Sequence, residues 1–319
     1  MKTDLDATEL QSYQSAQADP ADFDGFWRET IAEARSHATG VTLSRVASTV
    51  TLIDLYDVTF PGFAGEPVKA WLKVPAGATA PLPTIVEFVG YGGGRGRAEE
   101  RLMYSASGFA HFLMDTRGQG SSWSIGETAD SHGSDPHIPG FMTKGVLRPE
   151  TYYYRRVFTD AVRAIDAVRT LHLVDAARVG VVGSSQGGGI SLAATALVGD
   201  LEASIFFVPF LCDFPRATII TDSDPYKEIG RYLATHRDHG ERVHETLAYF
   251  DGVNFAKRAS TPGRFTASLM DPVCPPSTVY GAFNNYAGEK SITLWEYNGH
   301  EGGGIDDELA AVRYFGERL

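Results

Sequence analysis

The chain has 319 residues, of which 43% are hydrophobic and 21% are charged, and its formal net charge is −12 at pH 7. This composition is typical of a globular protein, and the length suffices for one large α/β domain or two modest ones. The acidic charge disfavours binding to nucleic acid or to an anionic membrane, because both attract basic surfaces.

The N-terminal residues contain no apolar segment of the kind found in signal peptides, and no run of about 18 apolar residues occurs in the sequence. We therefore expect a cytoplasmic protein without a membrane span. Only two cysteines occur, Cys212 and Cys274. Two buried thiols are expected rather than a disulfide framework.

The first predicted element is a helix over residues 20–36, within a helical N-terminal extension that covers residues 1–40. A second helix is predicted over residues 152–171, where apolar side chains recur at helical spacing. Residues 67–74 alternate in polarity and predict a half-buried strand. Short continuous apolar runs predict further strands that are covered on both faces, at residues 84–89, 111–115, 178–182, 203–209, 265–270 and 292–297.

Strands and helices alternate through most of the chain, and this alternation predicts the α/β class with a doubly wound, mostly parallel sheet. We expect a single domain over residues 1–319, because no repeat or low-complexity linker divides the sequence. Residues 210–260 interrupt the alternation, since they are rich in polar and aromatic residues and predict helices but no strand. They are expected to form a cap-like helical insertion after the sixth strand.

Residues 183–187 read Gly-Ser-Ser-Gln-Gly and match the G-x-S-x-G pattern that surrounds a nucleophilic serine. The glycines are needed because a sharp turn from strand to helix must raise the serine hydroxyl above the sheet. The pattern alone is weak. Here a predicted strand precedes it and a predicted helix follows it, so we predict that Ser185 is a nucleophile.

A serine nucleophile needs a general base, and the base needs an acid that orients it. In a sheet of this kind the acid and then the histidine follow the serine along the chain, each on a loop after a later strand. Asp271 and His300 occupy such positions, so we predict a triad of Ser185, His300 and Asp271. Asp251 and Asp306 are rivals for the acid, but neither follows a strand-like run.

The tetrahedral intermediate of acyl transfer also needs N–H donors aimed at its oxyanion. We predict one donor from the backbone of Gln186, directly after the nucleophile. The second is expected from the glycine-rich residues 90–94, with Tyr91 as the candidate. A tight turn that merely requires glycine remains an alternative explanation of those residues.

Several motifs occur in a fixed order along nearly the whole chain: DFDGFW at residues 22–27, RGQG at 117–120, GSSQG at 183–187, LMDPVCPPST at 269–278 and HE at 300–301. In these motifs the chain resembles carbohydrate esterase family seven, the acetyl xylan esterases and cephalosporin C deacetylases. One position departs from the family pattern. The strand before the oxyanion loop usually ends His-Gly-Tyr, whereas residues 89–91 read Val-Gly-Tyr.

The resemblance implies an α/β-hydrolase fold and a serine esterase that deacetylates small acetylated carbohydrates without a metal or other cofactor. It also implies a homo-oligomer, namely a hexamer with inward-facing active sites, and it suggests that Arg117 and Gln119 brace the site rather than react. An acetyl-selective pocket needs a bulky wall, for which Tyr91, Pro209 and Phe210 are the candidates. The natural alcohol part of the ester stays open.

Other functions remain possible at this point. A carboxylesterase for larger acyl groups, or a peptidase-like serine hydrolase, would use the same triad. A nucleotide-binding oxidoreductase gains some support from residues 90–97 and Asp115, although residues 90–97 do not fit G-x-G-x-x-G. A metal enzyme could be built on His236, His239 and His244, for which a solvated surface is the simpler explanation.

Overall fold

A computed structural model describes residues 2–37, 40–132 and 135–319 of the protein. Within these residues one nine-stranded sheet runs through the molecule. Its strands, in chain order, are β1 Thr42–Val46, β2 Ile53–Pro61, β3 Pro67–Pro75, β4 Leu82–Phe88, β5 Ala110–Met114, β6 Val174–Ser184, β7 Ala203–Phe207, β8 Gly263–Ser268 and β9 Lys290–Trp295.

The order of strands across the sheet is β1-β2-β3-β5-β4-β6-β7-β8-β9. The first three strands pair antiparallel with one another, and β3 is also antiparallel to β5. From β5 to β9 every neighbouring pair is parallel. The predicted mostly parallel α/β sheet is therefore confirmed.

Eleven α-helices are present in the described residues. They are α1 Ala7–Ser12, α2 Phe23–Ser36, α3 Met103–Ala106, α4 Tyr153–Val168, α5 Gln186–Val198, α6 Phe214–Ile220, α7 Tyr226–Thr235, α8 Gly240–Ala248, α9 Gly252–Ala256, α10 Pro276–Asn285 and α11 Ile305–Arg318.

Helices cover both faces of the sheet, which explains why its central strands are continuously apolar. Adjacent side chains of a strand point to opposite faces. On β6, Val181 belongs to the large core that contains α4 and α5. Its neighbour Val182 packs instead in a smaller core with Ala311 and Phe315 of α11. Because both faces are buried, both positions must be apolar.

The main departures from the sequence prediction lie in the N-terminal third. Strands β1 and β2 were not predicted, and the predicted N-terminal extension contains two helices, α1 and α2, of which α2 begins three residues later than expected. Met1 and residues 38–39 of that extension lie outside the described residues. The other predicted strands and helices are present, with ends shifted by up to four residues.

Residues 210–260 contain α6 to α9 and no strand, as predicted. They follow β7, so the insertion comes after the seventh strand in chain order and not after the sixth, as the sequence had indicated. Both cysteines are free and buried. In the described ranges, no helix combines the length and the apolar character that crossing a membrane would require.

Candidate active site

Ser185 lies in the sharp turn between β6 and α5. Its φ of 56° and ψ of −120° are unusual for a residue with a side chain, and its N–H donates to the Phe207 carbonyl at 2.9 Å. Glycine is required on both sides of this turn. A Cβ at Gly183 would lie 2.2 Å from the carbonyl carbon of Gly187, and one at Gly187 would lie 2.1 Å from the Phe88 oxygen. The G-x-S-x-G pattern therefore follows from close backbone contacts.

The structure brings the three predicted triad side chains into one hydrogen-bonded row. His300 Nε2 lies 2.9 Å from Ser185 Oγ, and His300 Nδ1 lies 2.8 Å from Asp271 Oδ2. Asp271 is fully buried, and its other oxygen accepts the N–H groups of Val273 and Cys274 at 2.8 and 2.9 Å. These bonds orient the carboxylate towards the imidazole, so the row has the geometry needed to activate a serine.

The rival carboxylates occupy other places. Asp251 is buried at the start of α9, where it accepts the N–H groups of Asp213, Phe214 and Val253 at 2.8 to 2.9 Å. Burial and the nearby Asp213 raise the pKa of Asp251 to about 7. Asp306 is exposed in the first turn of α11. Neither hydrogen-bonds to His300.

The two predicted oxyanion donors lie at suitable places beside Ser185. Gln186 is the first residue of α5, a 13-residue helix, so its N–H has no partner inside the helix and lies at the positive end of the helix dipole. Tyr91 lies in the loop after β4, the strand that pairs with β6. In the described part of the chain, neither N–H donates a hydrogen bond. Their role as the oxyanion hole remains a prediction.

A buried pair of glutamines joins these two places. Gln119 Oε1 accepts the Gly92 N–H at 2.7 Å, and Gln119 Nε2 donates to Gln186 Oε1 at 2.8 Å. Gln186 Nε2 donates to the Val89 carbonyl at 3.1 Å, and the Tyr154 hydroxyl donates to Gln186 Oε1 at 2.9 Å. Gln119 thus holds the loop after β4 against the turn at Ser185. The bond to Val89 uses only its backbone, so the valine at this position does not disturb it.

Arg117 is linked to the buried glutamine pair through Tyr153. Its guanidinium is buried and pairs with Asp160 at 2.5 Å and with Glu66 at 2.6 Å. Burial alone would lower the pKa of Arg117, but Asp160 and Glu66 outweigh burial and raise it. The Arg117 carbonyl accepts the Tyr153 hydroxyl at 2.5 Å. The placement agrees with a bracing role for Arg117, which remains a prediction.

A pocket of about 440 Å³ opens beside Ser185 and His300. Side chains on its wall include Phe88, Tyr91, Arg101, Trp123, Asp224, Pro225 and Val273. Pro209 and Phe210, which the sequence suggested for this wall, lie outside the lining. Phe210 is fully buried and packs behind Tyr91, with ring centroids 6.3 Å apart, whereas Pro209 packs against Gly188 of α5.

Trp123 was missed by sequence reasoning although it lies on this wall. Its side chain is 55% exposed, and its Nε1 donates to the Tyr91 carbonyl at 2.8 Å. The indole covers Gly93, where a Cβ would meet the ring at 2.2 Å. The glycine-rich stretch at residues 90–94 therefore makes room for Trp123. The only sequence signal was the position of this tryptophan shortly after the RGQG motif.

The predicted alternative metal site is not assembled. The rings of His236 and His239 stack at 4.9 Å, and His239 bonds to the Tyr232 hydroxyl. Across residues 2–37, 40–132 and 135–319, the single group of three potential ligands within 4.8 Å of one another is Asp271, Cys274 and His300. Those side chains belong to the triad row and its neighbour.

The predicted alternative nucleotide site is also not formed. Asp115 is fully buried, and its carboxylate accepts the N–H groups of Arg95, Glu127 and Thr128 at 2.7 to 2.9 Å. Its oxygens therefore stabilise the loops after β4 and β5 and are not available to a ribose. The glycine-rich residues 90–97 do not lead into the first turn of a helix.

Comparison with known proteins identifies the family. The model of the family described as acetyl xylan esterase (AXE1) matches residues 1–316. The chain belongs to this family. Membership confirms the resemblance seen in the ordered motifs and excludes the oxidoreductase alternative.

Two solved structures of acetyl xylan esterases are similar to this family member over almost their full length. The enzyme from Paenibacillus sp. R4 is 37% identical, with 99% of this chain and 100% of that chain covered and a TM-score of 0.93. Acetyl xylan esterase 1 from Thermoanaerobacterium sp. JW/SL YS485 is 32% identical, with 98% and 99% covered and a TM-score of 0.90. The α/β-hydrolase fold is thereby confirmed.

A curated relative is larger than this acetyl xylan esterase family member. Acetyl esterase Axe7A from Xylanibacter ruminicola is 28% identical over 283 residues, which are 88% of this chain and 63% of that protein. The chain therefore spans less than two thirds of the length of this relative.

Proposed function

We propose that the chain is a serine esterase that removes acetyl groups from small acetylated carbohydrates through an acyl-enzyme on Ser185. One observation carries the proposal: hydrogen bonds run without interruption from Asp271 through His300 to Ser185 at the wall of an open pocket. Membership of the acetyl xylan esterase family supports the choice of acyl group.

In the first half-reaction His300 Nε2 takes the proton from Ser185 Oγ as this oxygen attacks the ester carbonyl. The negative charge that develops on the carbonyl oxygen is stabilised by the N–H groups of Tyr91 and Gln186. Asp271 keeps the Nδ1 proton of His300 in place and stabilises the imidazolium. His300 then gives its proton to the alcohol oxygen, the carbon–oxygen bond breaks, and the alcohol leaves.

In the second half-reaction water replaces the alcohol. His300 Nε2 removes a proton from water, the hydroxide attacks the acetyl carbonyl, and the same two N–H groups stabilise the oxyanion. The proton returns to Ser185 Oγ as acetic acid leaves, and the acid then ionises to acetate in water. No group outside the triad and the two backbone donors is needed for the proton transfers.

Acetyl selectivity is proposed because the chain belongs to the acetyl xylan esterase family and because bulky side chains line the pocket beside Ser185. Tyr91 is held by Phe210 behind it, and Pro225 and Val273 lie on the same wall. A longer acyl chain that met these side chains would have to displace packed atoms, which costs about 1–3 kcal/mol for each poorly accommodated group. This corresponds to a rate loss of about 5- to 150-fold.

The test is a series of nitrophenyl acetate, butyrate and octanoate with the purified enzyme. We expect kcat/KM to fall steeply from acetate to butyrate and to be close to zero for octanoate. Because the leaving group is constant, the series reports only on the acyl site. A flat profile, or a preference for octanoate, would assign the protein to carboxylesterases of broader acyl range.

The alcohol part of the ester is proposed to be a short acetylated oligosaccharide, with the acetyl group of a cephalosporin as a second substrate. We further propose a cytoplasmic homohexamer whose sites face a shared interior, on the strength of the motifs shared with carbohydrate esterase family seven. Acetylated oligosaccharides should then be hydrolysed faster than polymeric xylan. Light scattering should give about six times the 34.6 kDa chain mass, and a monomer at micromolar concentration would contradict the assembly.

A further inference from the structure

Tyr91 carries a proposed oxyanion donor on its backbone, and its side chain points into the helical insertion at residues 210–260. There its hydroxyl donates to Glu228 Oε1 of α7 at 2.6 Å and accepts the N–H of Phe141 at 2.7 Å. The Tyr91 carbonyl accepts Trp123 Nε1 at 2.8 Å. The residue is thus held at its ring end by one part of the chain and at its backbone by another.

Glu228 is an unusual residue for such a position because it is only 4% exposed. Its second oxygen accepts the Met142 N–H at 3.0 Å, and within the described residues it forms no ion pair. Burial raises the pKa of this carboxyl, an effect that the bond from Tyr91 opposes. A buried carboxylate without a cationic partner is costly, since burial removes its hydration.

The surrounding chain is adapted to this carboxylate. Gly140 has a φ of 125°, and a Cβ there would lie 2.2 Å from Glu228 Oε2. A side chain at residue 140 would occupy the space that the Glu228 carboxylate fills. In that space each Glu228 oxygen accepts one hydrogen bond, one from the Tyr91 side chain and one from the Met142 backbone. A hydrophobic residue at position 228 would fill the same space without the cost of burying charge. The carboxylate is accordingly kept for the bond to Tyr91.

We propose that Glu228 is a positioning residue, which fixes Tyr91 so that the Tyr91 N–H points at the oxyanion formed on the Ser185 substrate. The inference rests on the proposed function. Residues 90–94 include four glycines and have wide backbone freedom. An oxyanion donor is effective only when it is held within about 0.5 Å of its place. The insertion contributes to catalysis by supplying this anchor.

The experiment compares Glu228→Ala, Glu228→Gln, Tyr91→Phe and the double variant Tyr91→Phe with Glu228→Ala, all assayed with nitrophenyl acetate. Each of Glu228→Ala and Tyr91→Phe should lower kcat about 10- to 100-fold and change KM less than about 2-fold, because a misplaced donor weakens transition-state binding. The double variant should lose little more than either single variant, since both changes remove the same bond.

Glu228→Gln is the conservative variant. Its amide oxygen can still accept the Tyr91 hydroxyl, but its NH₂ group then faces the Met142 N–H. Glu228→Gln should therefore retain more activity than Glu228→Ala, and its melting temperature should be no higher than that of Glu228→Ala. As a second readout, phosphorylation of Ser185 by diethyl nitrophenyl phosphate should slow by a similar factor, because the phosphoryl oxygen needs the same two donors.

Asp251→Asn is the matched control, because Asp251 is also a buried carboxylate of the insertion bonded to backbone N–H groups. It should lower the melting temperature without lowering kcat of the folded enzyme. Wild-type kcat in Glu228→Ala, losses that multiply in the double variant, or an equal kcat loss in Asp251→Asn would each overturn the positioning role. Failure of the proposed function has a separate signature, namely activity that survives Ser185→Ala. If Glu228→Ala does not fold, Glu228→Gln and Tyr91→Phe decide the question.

Discussion

Replacing Asp271 by Asn tests whether this carboxylate sets the tautomer of His300. Asp271 uses one oxygen for His300 Nδ1 and the other for the N–H groups of Val273 and Cys274. An asparagine amide has one oxygen and one NH₂ group. If the NH₂ group faced Val273 and Cys274, both N–H donors would lose their acceptor, at about 1–3 kcal/mol for the buried N–H of Cys274.

The amide should therefore keep its oxygen on the two backbone N–H groups and turn its NH₂ group towards His300. His300 Nδ1 must then accept a hydrogen bond, so the ring proton moves to Nε2, which faces Ser185 at 2.9 Å. In this tautomer Nε2 cannot take the serine proton. Loss of the base by this route is expected to lower kcat by about 10⁴-fold, equivalent to about 5.5 kcal/mol in the activation barrier.

The assay is the initial rate of nitrophenyl acetate hydrolysis, with the melting temperature measured on the same samples. Since every hydrogen bond of Asp271 has a counterpart in the variant, we expect the melting temperature to change little. Asp251→Asn serves as the control for removing a buried carboxylate elsewhere. The tautomer argument would be refuted if Asp271→Asn kept more than about a tenth of the wild-type kcat, or if its loss of activity followed unfolding.

Three further predictions concern the nucleophile, acid stability and metal independence. Ser185→Ala should lower kcat by about 10³-fold or more with the fold intact, and adding His300→Ala should cost little more, because the two residues act as a unit; substantial remaining activity would contradict the triad. Burial alone would raise the pKa of Glu87, but the Arg101 guanidinium and His111 lower it to about 2. The unfolded chain therefore binds the Glu87 proton more tightly than the folded chain does. The ionised Glu87 stabilises the fold above a pH of about 4.5, and this stabilisation is lost as the pH falls from about 4.5 to 2. The melting temperature of Glu87→Gln should fall less than that of the wild type over this range, and equal slopes would contradict the assignment. EDTA should not change the activity, because no proton transfer in the proposed mechanism uses a metal ion, whereas metal-reversible inhibition would favour a metal enzyme.

Local patterns in the sequence were sufficient for the features that depend on neighbouring residues. The turn at Ser185 could be predicted from the sequence because its glycines contact backbone atoms that lie within a few residues or on the adjacent strand. The parallel strands were predicted because both of their faces are buried, which removes polar residues from the run. Asp271 and His300 could be chosen because the carboxyl ends of parallel strands meet at one edge of a sheet. Strands β1 and β2 were missed because they pair antiparallel near the sheet edge, where exposed and buried positions mix.

Contacts between residues distant in sequence were decided only by the tertiary structure. Glu228 lies 137 positions from Tyr91, and nothing in the local sequence marks this glutamate among the charged residues of the insertion. Phe210 was expected to line the pocket, whereas packing places it behind Tyr91. A strand or a turn is specified by a few consecutive residues, because its backbone geometry repeats over a short range. Which side chain meets another across the molecule depends on how the helices of the insertion pack over the sheet, and that packing is set by the whole core at once.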